Sequence, residues 1–178
     1  MNDTKIGDYA LAPDFTAYDK LVYYQTYDIT PYLKNGKNSF DIILADGWYA
    51  GHAQGIPGMN YLYGERPALI MQAEIGYADG KMQKLCSDDT FEAYSGPFLY
   101  ADLFMGEYLD MRQSLVPYGT VKKAYPKHIL TPQEYEGIKV KTVLEARTVT
   151  KFSEGSFIAD FGQVLAGREK ICLLYTSD

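Results

Sequence analysis

Turn-forming residues interrupt this chain about every ten residues, and that spacing constrains the fold more than any other feature of the sequence. The runs between them are short, rich in tyrosine and β-branched residues, and alternate between apolar and polar positions. Alternation is clearest over residues 68–77, and Asp79 and Gly80 then predict a hairpin turn before residues 82–86. No stretch has a convincing helical period. The pattern therefore predicts an all-β fold, an antiparallel β-sandwich.

The same reasoning predicts strands in other parts of the first half of the chain. They cover residues 20–27, residues 40–44 and residues 90–94. Between the first two, Thr30 and Pro31 predict a single helical turn, with Thr30 as its N-cap and Pro31 at its first helical position.

Composition excludes several classes of protein. Of the 178 residues, 22% are charged and 47% are hydrophobic, which is typical of a globular chain rather than a disordered one. A net charge of −6 argues against a nucleic-acid partner, which would need a basic face. No apolar run approaches the roughly 20 residues of a membrane helix. The two histidines and two cysteines have no metal-ligand spacing, so neither a zinc site nor a Cys–His nucleophile pair is predicted.

The first candidate binding residues follow the predicted strand over residues 40–44. Asp46 lies in a predicted turn, and Trp48, the one tryptophan, and Tyr49 come directly after it. Aromatic rings at the end of a core strand can stack on the flat face of a ligand, while a carboxylate accepts hydroxyl groups or binds a cation. The alternative is that Trp48 closes the end of the core and Asp46 caps the turn.

A second group of candidates lies in residues 100–112, predicted to be an acidic loop. Asp102, Glu107 and Asp110 occur there together with Arg112. An enzyme interpretation pairs Glu107 and Asp110 as the two carboxylates of a glycosidase. The alternative is a loop whose acidic groups cap turns and pair with Arg112. Sequence spacing does not fix distances in space, so both interpretations stay open.

The second half of the chain is predicted to begin a second β unit. Residues 113–137 lose the alternation and are rich in proline, which predicts an inter-domain linker. Strand patterns return over residues 138–150 and 156–171 and predict the first strands of a second β-sandwich. The predicted division is a first domain over 1–112, a linker over 113–137, an incomplete second domain over 138–171 and a tail over 172–178.

Several runs resemble the N-terminal domain of bacterial α-L-rhamnosidases. They are YQTYDITPYLKNGKNSFDIILADGWYAG, YGERPALIMQAEI, YADG and SGPFLYADLFMGEYLDMR. A later run, FIADFGQVLAGREKI, resembles the opening of the concanavalin-like domain that follows in the same enzymes. The resemblance covers roughly Asn2 to Lys170, with the motifs in the family's order. Two positions depart from the family pattern: Met111 replaces the alanine of a frequent Asp-Ala-Arg, and Val164 replaces the asparagine after DFGQ.

The resemblance implies a jelly-roll-like first domain in a parent enzyme that releases terminal α-L-rhamnose with inversion. It implies that catalysis uses carboxylates of an (α/α)₆ barrel further along the parent chain, so no catalytic residue maps onto this sequence. The implied partners are a rhamnose-containing glycoside or polysaccharide and that missing catalytic domain. Two other roles stay open: a self-sufficient carbohydrate-binding module, and a purely structural sandwich that braces the barrel.

The resemblance implies that no cofactor is required. It is compatible with a calcium ion, because a related module in some relatives binds L-rhamnose through calcium. Calcium takes carboxylate and carbonyl oxygens and can accept sugar hydroxyls as its remaining ligands. The implied metal ligands are Asp46, Asp102 and Asp110. The implied sugar-contacting residues are Asp46, Trp48, Tyr49, Glu107, Tyr108 and Arg112.

Both ends of the chain are expected to be artificial. The last seven residues, CLLYTSD, match the conceptual translation of a transposase adapter used in sequencing libraries. Without Cys172, Cys86 is a lone cysteine and indicates no disulfide. An absent signal peptide carries no information when the true start is lost, so cytoplasmic and secreted locations both stay open.

Overall fold

The structure, a computed structural model, describes residues 1–52, 58–119, 121–123, 129–168 and 170. It has two compact units, Met1–Lys139 (unit 1) and Val140–Asp178 (unit 2). Nearly all the regular secondary structure of the described residues is β-strand, with one four-residue α-helix and one 3₁₀ turn, so the prediction of an all-β class is confirmed. No helix in the described ranges is long and apolar enough to cross a membrane.

Ten strands lie among the described residues. They are β1 (Leu21–Tyr24), β2 (Gln72–Gly76), β3 (Met82–Cys86), β4 (Tyr94–Ser95), β5 (Phe98–Asp102), β6 (Gly106–Leu109), β7 (Val116–Pro117), β8 (Ile129–Pro132), β9 (Thr148–Ser153) and β10 (Ser156–Asp160). The 3₁₀ turn is Thr30–Tyr32, and the α-helix, α1, is Gly47–Ala50. The strands pair two by two, as β1–β8, β2–β3, β4–β7, β5–β6 and β9–β10.

The hairpin β2–β3 forms where the sequence predicts it. Its register runs from Gln72 opposite Cys86 to Gly76 opposite Met82. Gly80 has a φ of +83°, a conformation that L side chains rarely adopt, which explains the glycine in this turn. The prediction of this hairpin is therefore confirmed.

The pairing of β1 with β8 departs from the predicted antiparallel arrangement, because it is parallel. The segment 113–137, predicted to be an inter-domain linker, contributes β7 and β8 to unit 1. Pro117 and Pro132 end these two strands. Each strand has a single partner among the described residues, and an edge strand tolerates proline because the missing N–H can face away from the ladder. The predicted domain boundaries themselves stay a prediction.

The predicted strand over residues 40–44 is wrong, since the structure shows no ladder there. Ile43 is 74% exposed, and Ile42 and Leu44 are also exposed. Alternating apolar residues form a strand only when another strand pairs with them. This segment has no such partner among the described residues and leads directly into α1.

The predicted acidic loop over residues 100–112 is instead largely the antiparallel hairpin β5–β6, so its prediction as a loop is wrong. Asp102 ends β5 and accepts hydrogen bonds from the backbone N–H groups of Phe104 and Met105 in the turn. Gly106 follows with a φ of +89°. An aspartate that bonds to the backbone two or three residues ahead builds a turn, which agrees with the alternative in which the acidic groups cap turns.

Two smaller predictions are corrected, and in both places an aspartate side chain accepts hydrogen bonds from a residue two positions ahead. A helical turn does form at Thr30–Tyr32, but its N-cap is Ile29 rather than Thr30. Asp28 Oδ1 accepts from the Thr30 N–H at 2.9 Å. Over residues 90–94 Tyr94 alone is in a strand, because Asp88 accepts from both the backbone N–H and the hydroxyl of Thr90 and forms a turn.

Unit 2 contains the hairpin β9–β10, which overlaps the strand patterns predicted in this part of the chain. A bulge shifts the register between Ser156 and Phe157, and the described residues after Asp160 form no further strand. The expected adapter-derived tail over 172–178 lies outside the described residues.

The interior of unit 1 is built around aromatic rings. Tyr18 is buried and contacts the rings of Phe15, Tyr49 and Tyr63 at centroid distances of 6.1, 5.7 and 5.1 Å. Its hydroxyl donates to the Asp14 carbonyl at 2.6 Å. Tyrosine suits such a cluster because the ring packs while the hydroxyl finds a partner.

Candidate binding site around Trp48 and Asp102

Asp102 is the most enclosed charged side chain among the predicted site residues, with 1% of its side chain exposed. Its Oδ2 accepts from the His52 backbone N–H at 2.8 Å and lies 3.0 Å from His52 Nδ1. Its Oδ1 accepts from the N–H groups of Phe104 and Met105 at 2.8 and 2.9 Å. Both carboxylate oxygens are therefore occupied, and they join the segment after α1 to the turn of β5–β6.

The ionisation of this group follows from those contacts. Burial alone would favour the neutral acid, but the hydrogen bonds from the His52 ring and from three backbone N–H groups hold the pKa of Asp102 well below its usual range. Burial, followed by the charge of Asp102, raises the pKa of the nearby Asp46. Asp102 is therefore stabilised as a carboxylate, whereas Asp46 is a carboxylate in an unfavourable environment.

His52 is the functional-site neighbour that sequence reasoning missed. It lies 50 residues before Asp102, and the spacing of the histidines and cysteines predicted neither a metal site nor a nucleophile pair. Its position directly after Gly51, the last residue of the motif that contains Trp48, was the available signal.

Trp48 and Tyr49 belong to α1 and have different surroundings. The Trp48 ring is half-buried against Phe15, with centroids 6.1 Å apart. Tyr49 packs between Tyr18 and Tyr63, and it stacks on Tyr63 with an interplanar angle of 22°. Tyr49 thus serves the aromatic interior, which leaves Trp48 as the ring better placed to meet a ligand.

Asp46 borders a shallow surface pocket of about 190 Å³. Residues 44–46 form one wall, and residues 98–101 of β5 form the other. Burial raises the pKa of Tyr100, and the negative charge of Asp102 raises it further. The Asp46 carboxylate and the Tyr100 phenol therefore both line this pocket, on the side of β5 that faces residues 44–46.

The remaining predicted residues lie elsewhere on the hairpin. Glu107 and Tyr108 are exposed on β6, opposite Ala101 and Tyr100. As neighbours in one strand, Glu107 and Tyr108 point to opposite faces, so they do not form a single contact surface.

Asp110 and Arg112 form an ion pair in which Arg112 is exposed and the Asp110 side chain is largely enclosed. Asp110 Oδ1 is 2.8 Å from Arg112 Nε, and Oδ2 is 2.8 Å from Nη2. This contact lowers the pKa of Asp110 to about 2. The arrangement is the one expected if the acidic groups cap turns and pair with Arg112.

The predicted calcium ligands do not come together. No group of three or more His, Cys, Asp or Glu side chains among the described residues is placed to hold a metal ion. Asp102 sits at the turn of the hairpin, while Asp110 follows its open end, four residues beyond Gly106 and roughly 13 Å away along the strand. The oxygens of Asp102 are also already bonded to N–H donors. These residues therefore do not fit a calcium ion.

Comparisons with known proteins agree on one family. Residues 1–146 match the family described as the alpha-L-rhamnosidase N-terminal domain. An α-L-rhamnosidase from Streptomyces avermitilis is 36% identical over 96% of the chain, and one from Formosa agariphila is 31% identical over 96%. The chain spans 18% and 19% of the length of these two relatives.

Solved structures give the same result. The structure of the Streptomyces avermitilis α-L-rhamnosidase complexed with L-rhamnose matches 89% of the chain with a TM-score of 0.75 and 33% identity, over 16% of that protein. The α-L-rhamnosidase of Aspergillus terreus, at 24% identity and a TM-score of 0.75 over 91% of the chain, shares the fold. The chain therefore belongs to the alpha-L-rhamnosidase N-terminal domain family.

Proposed function

We propose that this chain is the non-catalytic N-terminal region of an α-L-rhamnosidase, a glycoside hydrolase that releases terminal α-L-rhamnose with inversion. The observation that carries the proposal is the match to proteins of that name over 96% of this chain and 18% of the first relative. Most of each relative lies outside the match. Bond cleavage in an (α/α)₆ barrel of the parent enzyme is consistent with that proportion.

The carboxylates of the hairpin support a non-catalytic role. An inverting glycosidase needs two carboxyl groups about 6.5 to 9.5 Å apart on either side of the scissile bond. Asp102 is enclosed by four donors, and Asp110 is bound by Arg112. Glu107 lies on β6, every residue of which is exposed.

The two-stranded ladders of unit 1 support the proposal that this unit is part of a larger sheet structure. A two-stranded ladder is marginally stable on its own and becomes stable when it packs against further strands. In the parent enzyme the strands would complete a jelly-roll β-sandwich. This sandwich would assist recognition of a rhamnose-containing glycoside or brace the catalytic barrel.

A rhamnosidase assay tests the proposal directly. The purified 178-residue chain, incubated with an aryl α-L-rhamnoside, is expected to release the aryl alcohol no faster than a blank without protein. Turnover above the blank that co-purifies with the chain through two columns would overturn the non-catalytic assignment.

A second candidate function is sugar binding by the isolated chain. It is favoured by Trp48, a half-buried ring two residues after Asp46, and by the relative whose structure holds L-rhamnose. Isothermal calorimetry with L-rhamnose, with calcium and with a chelator, measures it. Because the predicted ligands do not fit calcium, heat abolished by the chelator would contradict the site geometry described above.

Trp48→Ala separates sugar binding from bracing. Loss of the rhamnose signal with an unchanged far-ultraviolet circular dichroism spectrum supports a binding module. Loss of the folded spectrum supports a structural role for Trp48 through its contact with Phe15.

A further inference from the structure

The carboxylate of Asp102 fixes which ring nitrogen of His52 carries the hydrogen. Asp102 Oδ2 lies 3.0 Å from His52 Nδ1. The pKa of Asp102 lies well below its usual range, so the group is ionised, and an ionised carboxylate accepts hydrogen bonds but cannot donate one. Nδ1 must therefore be the donor. In the neutral ring the other nitrogen, Nε2, is then an acceptor without a hydrogen.

Asp102 is enclosed firmly enough to impose this tautomer. Only 1% of its side chain is exposed, and its Oδ1 accepts from the backbone N–H groups of Phe104 and Met105. Its Oδ2 also accepts from the His52 backbone N–H at 2.8 Å. A ring that turned away would remove a donor from a buried oxygen, which is unfavourable. Free histidine prefers the opposite tautomer, so the protein selects the less common one.

The Nε2 atom of His52 is accessible to a ligand. The side chain is 20% exposed, whereas that of its partner Asp102 is almost completely enclosed. Within the described ranges the ring bonds through Nδ1, and no hydrogen bond reaches Nε2. A solute that carries a donor can therefore bind there without displacing a protein group that the structure describes.

His52 lies beside the pocket bordered by Asp46. Burial and the charge of Asp102 raise the pKa of Asp46, and a positive charge on the His52 ring lowers it, so Asp46 and His52 are close in space. Asp46 also lines the pocket together with Tyr100. The Asp46 carboxylate and the His52 Nε2 are both acceptors. A ligand that contacts both must supply at least two donors, and the hydroxyl groups of a sugar meet this requirement.

We propose that His52 is a further sugar-contacting residue whose Nε2 accepts a hydrogen bond from a ring hydroxyl, and that Asp102 is the positioning residue that holds His52 in the required tautomer. This contact rests on the role proposed above, recognition of a rhamnose-containing glycoside. It gives Asp102 a part in binding although both of its oxygens are already occupied. It also makes the site selective, because an acceptor disfavours a sugar whose matching hydroxyl is methylated or missing.

Nitrogen NMR of the histidine rings tests the positioning role without any sugar. The chain has two histidines, so a His128→Gln variant assigns the signals of His52. In mildly alkaline buffer, His52 is expected to show a protonated Nδ1 and an unprotonated Nε2, whose resonances are well separated. The reverse tautomer, or the mixture that free histidine gives, would overturn the positioning role of Asp102.

Two substitutions of His52 separate sugar contact from a structural role. The amide nitrogen of asparagine reaches the place of Nδ1, so His52→Asn keeps a donor to Asp102 and removes Nε2. In calorimetry with methyl α-L-rhamnoside it is expected to weaken binding about tenfold, with little change in the urea midpoint. Glutamine reaches the place of Nε2 and offers an acceptor there, so His52→Gln should retain more affinity. A merely structural role for His52 predicts the reverse order.

Rhamnosides with one hydroxyl methylated identify the contact itself. One of them is expected to bind the wild-type chain about tenfold more weakly than the parent sugar, because it cannot donate to Nε2. That derivative should lose no further affinity in His52→Asn, since the acceptor is already absent. Equal losses in the two proteins would show that the hydroxyl meets another residue and would overturn the contact.

The same titrations distinguish failure of this contact from failure of the proposed function. If the wild-type chain binds no rhamnoside, the contact fails together with the proposed recognition of rhamnose. If it binds, and His52→Asn binds equally well, the contact alone fails, and recognition through Asp46 and Trp48 stands.

Discussion

Asp102 and His52 lie 50 residues apart, yet the Asp102 carboxylate receives the backbone N–H of His52 at 2.8 Å and contacts its ring Nδ1 at 3.0 Å. The same carboxylate also accepts two N–H groups of the turn between β5 and β6. One buried side chain thus fixes the segment after α1 against the hairpin.

Replacing Asp102 by asparagine should destabilise unit 1 by about 2 to 3 kcal/mol, because one oxygen that accepts N–H groups becomes an amide nitrogen that cannot. Urea unfolding followed by circular dichroism measures the loss. Asp110→Asn is the matched control, since it weakens an ion pair with Arg112, whose side chain is 89% exposed, and should change the midpoint little. Equal midpoint shifts in the two variants would contradict the link.

Stability should fall in acid because of Asp102. Its pKa in the folded chain lies well below the ordinary value of 3.8. Such a group contributes stability that is fully present above the unfolded pKa and is lost as the pH falls toward the folded pKa. The free energy of unfolding should therefore decrease below about pH 4. The decrease should be shallower in Asp102→Asn, and parallel curves for the two proteins would refute this assignment.

Asp46 should have the opposite effect on stability. Burial and the Asp102 charge raise its pKa above 3.8, so the ionised form is disfavoured in the folded state. Its contribution to stability is present below the unfolded pKa and is lost as the pH rises through the folded pKa. Asp46→Asn should therefore modestly raise the urea midpoint at pH 7 and leave it unchanged near pH 3. A lower midpoint at pH 7 would show that the carboxylate is needed for folding.

Tyr18 should control stability at alkaline pH. Burial, followed by the charge of Asp14, raises the pKa of Tyr18 to about 12. Stability due to this group is present below pH 10 and is lost as the pH rises toward 12. Ultraviolet titration should show a tyrosine that ionises near pH 12 and disappears in Tyr18→Phe. Tyr18→Phe should cost about 1 kcal/mol through the lost hydrogen bond. Tyr18→Ala should cost about 3 to 5 kcal/mol, because it also removes the ring at the centre of the cluster.

Gly51 should not tolerate a side chain. A Cβ there would overlap the Gly47 carbonyl oxygen and lie 2.8 Å from Asp102 Oδ2. Gly51→Ala should therefore destabilise the chain by about 1 to 3 kcal/mol, measured by thermal unfolding. Gly167→Ala is the matched control, because the nearest atom, Leu165 Cδ1, would be at an ordinary 3.5 Å. An unchanged melting temperature in Gly51→Ala would mean that this backbone moves freely.

The parts of the fold that the sequence predicted are local ones. The hairpin β2–β3 has its turn and both strands within fifteen residues, so period and turn chemistry were sufficient. The parallel pairing of β1 with β8 was not predictable in this way, because its two strands are separated by more than 100 residues. Residues 40–44 had the right alternation for a strand but no partner among the described residues.

The candidate site was predicted only where its residues are close together in the sequence. Asp46, Trp48 and Tyr49 are close in sequence and also close in space. The attachment of Asp102 to His52 depends on contacts between distant segments. The motif that suggested sugar contact also contains Tyr49, whose ring in fact packs between two other tyrosines of the interior.

The parallel ladder β1–β8 has a consequence for the chain as it is synthesised. Leu21 pairs with Ile129, so the first strand leaves the ribosome 108 residues before its partner does. At usual rates of translation this delay is about 5 to 20 s. During that interval Leu21–Tyr24 is an unpaired apolar strand in a nascent chain. It is therefore a segment of unit 1 that we expect a chaperone to shield.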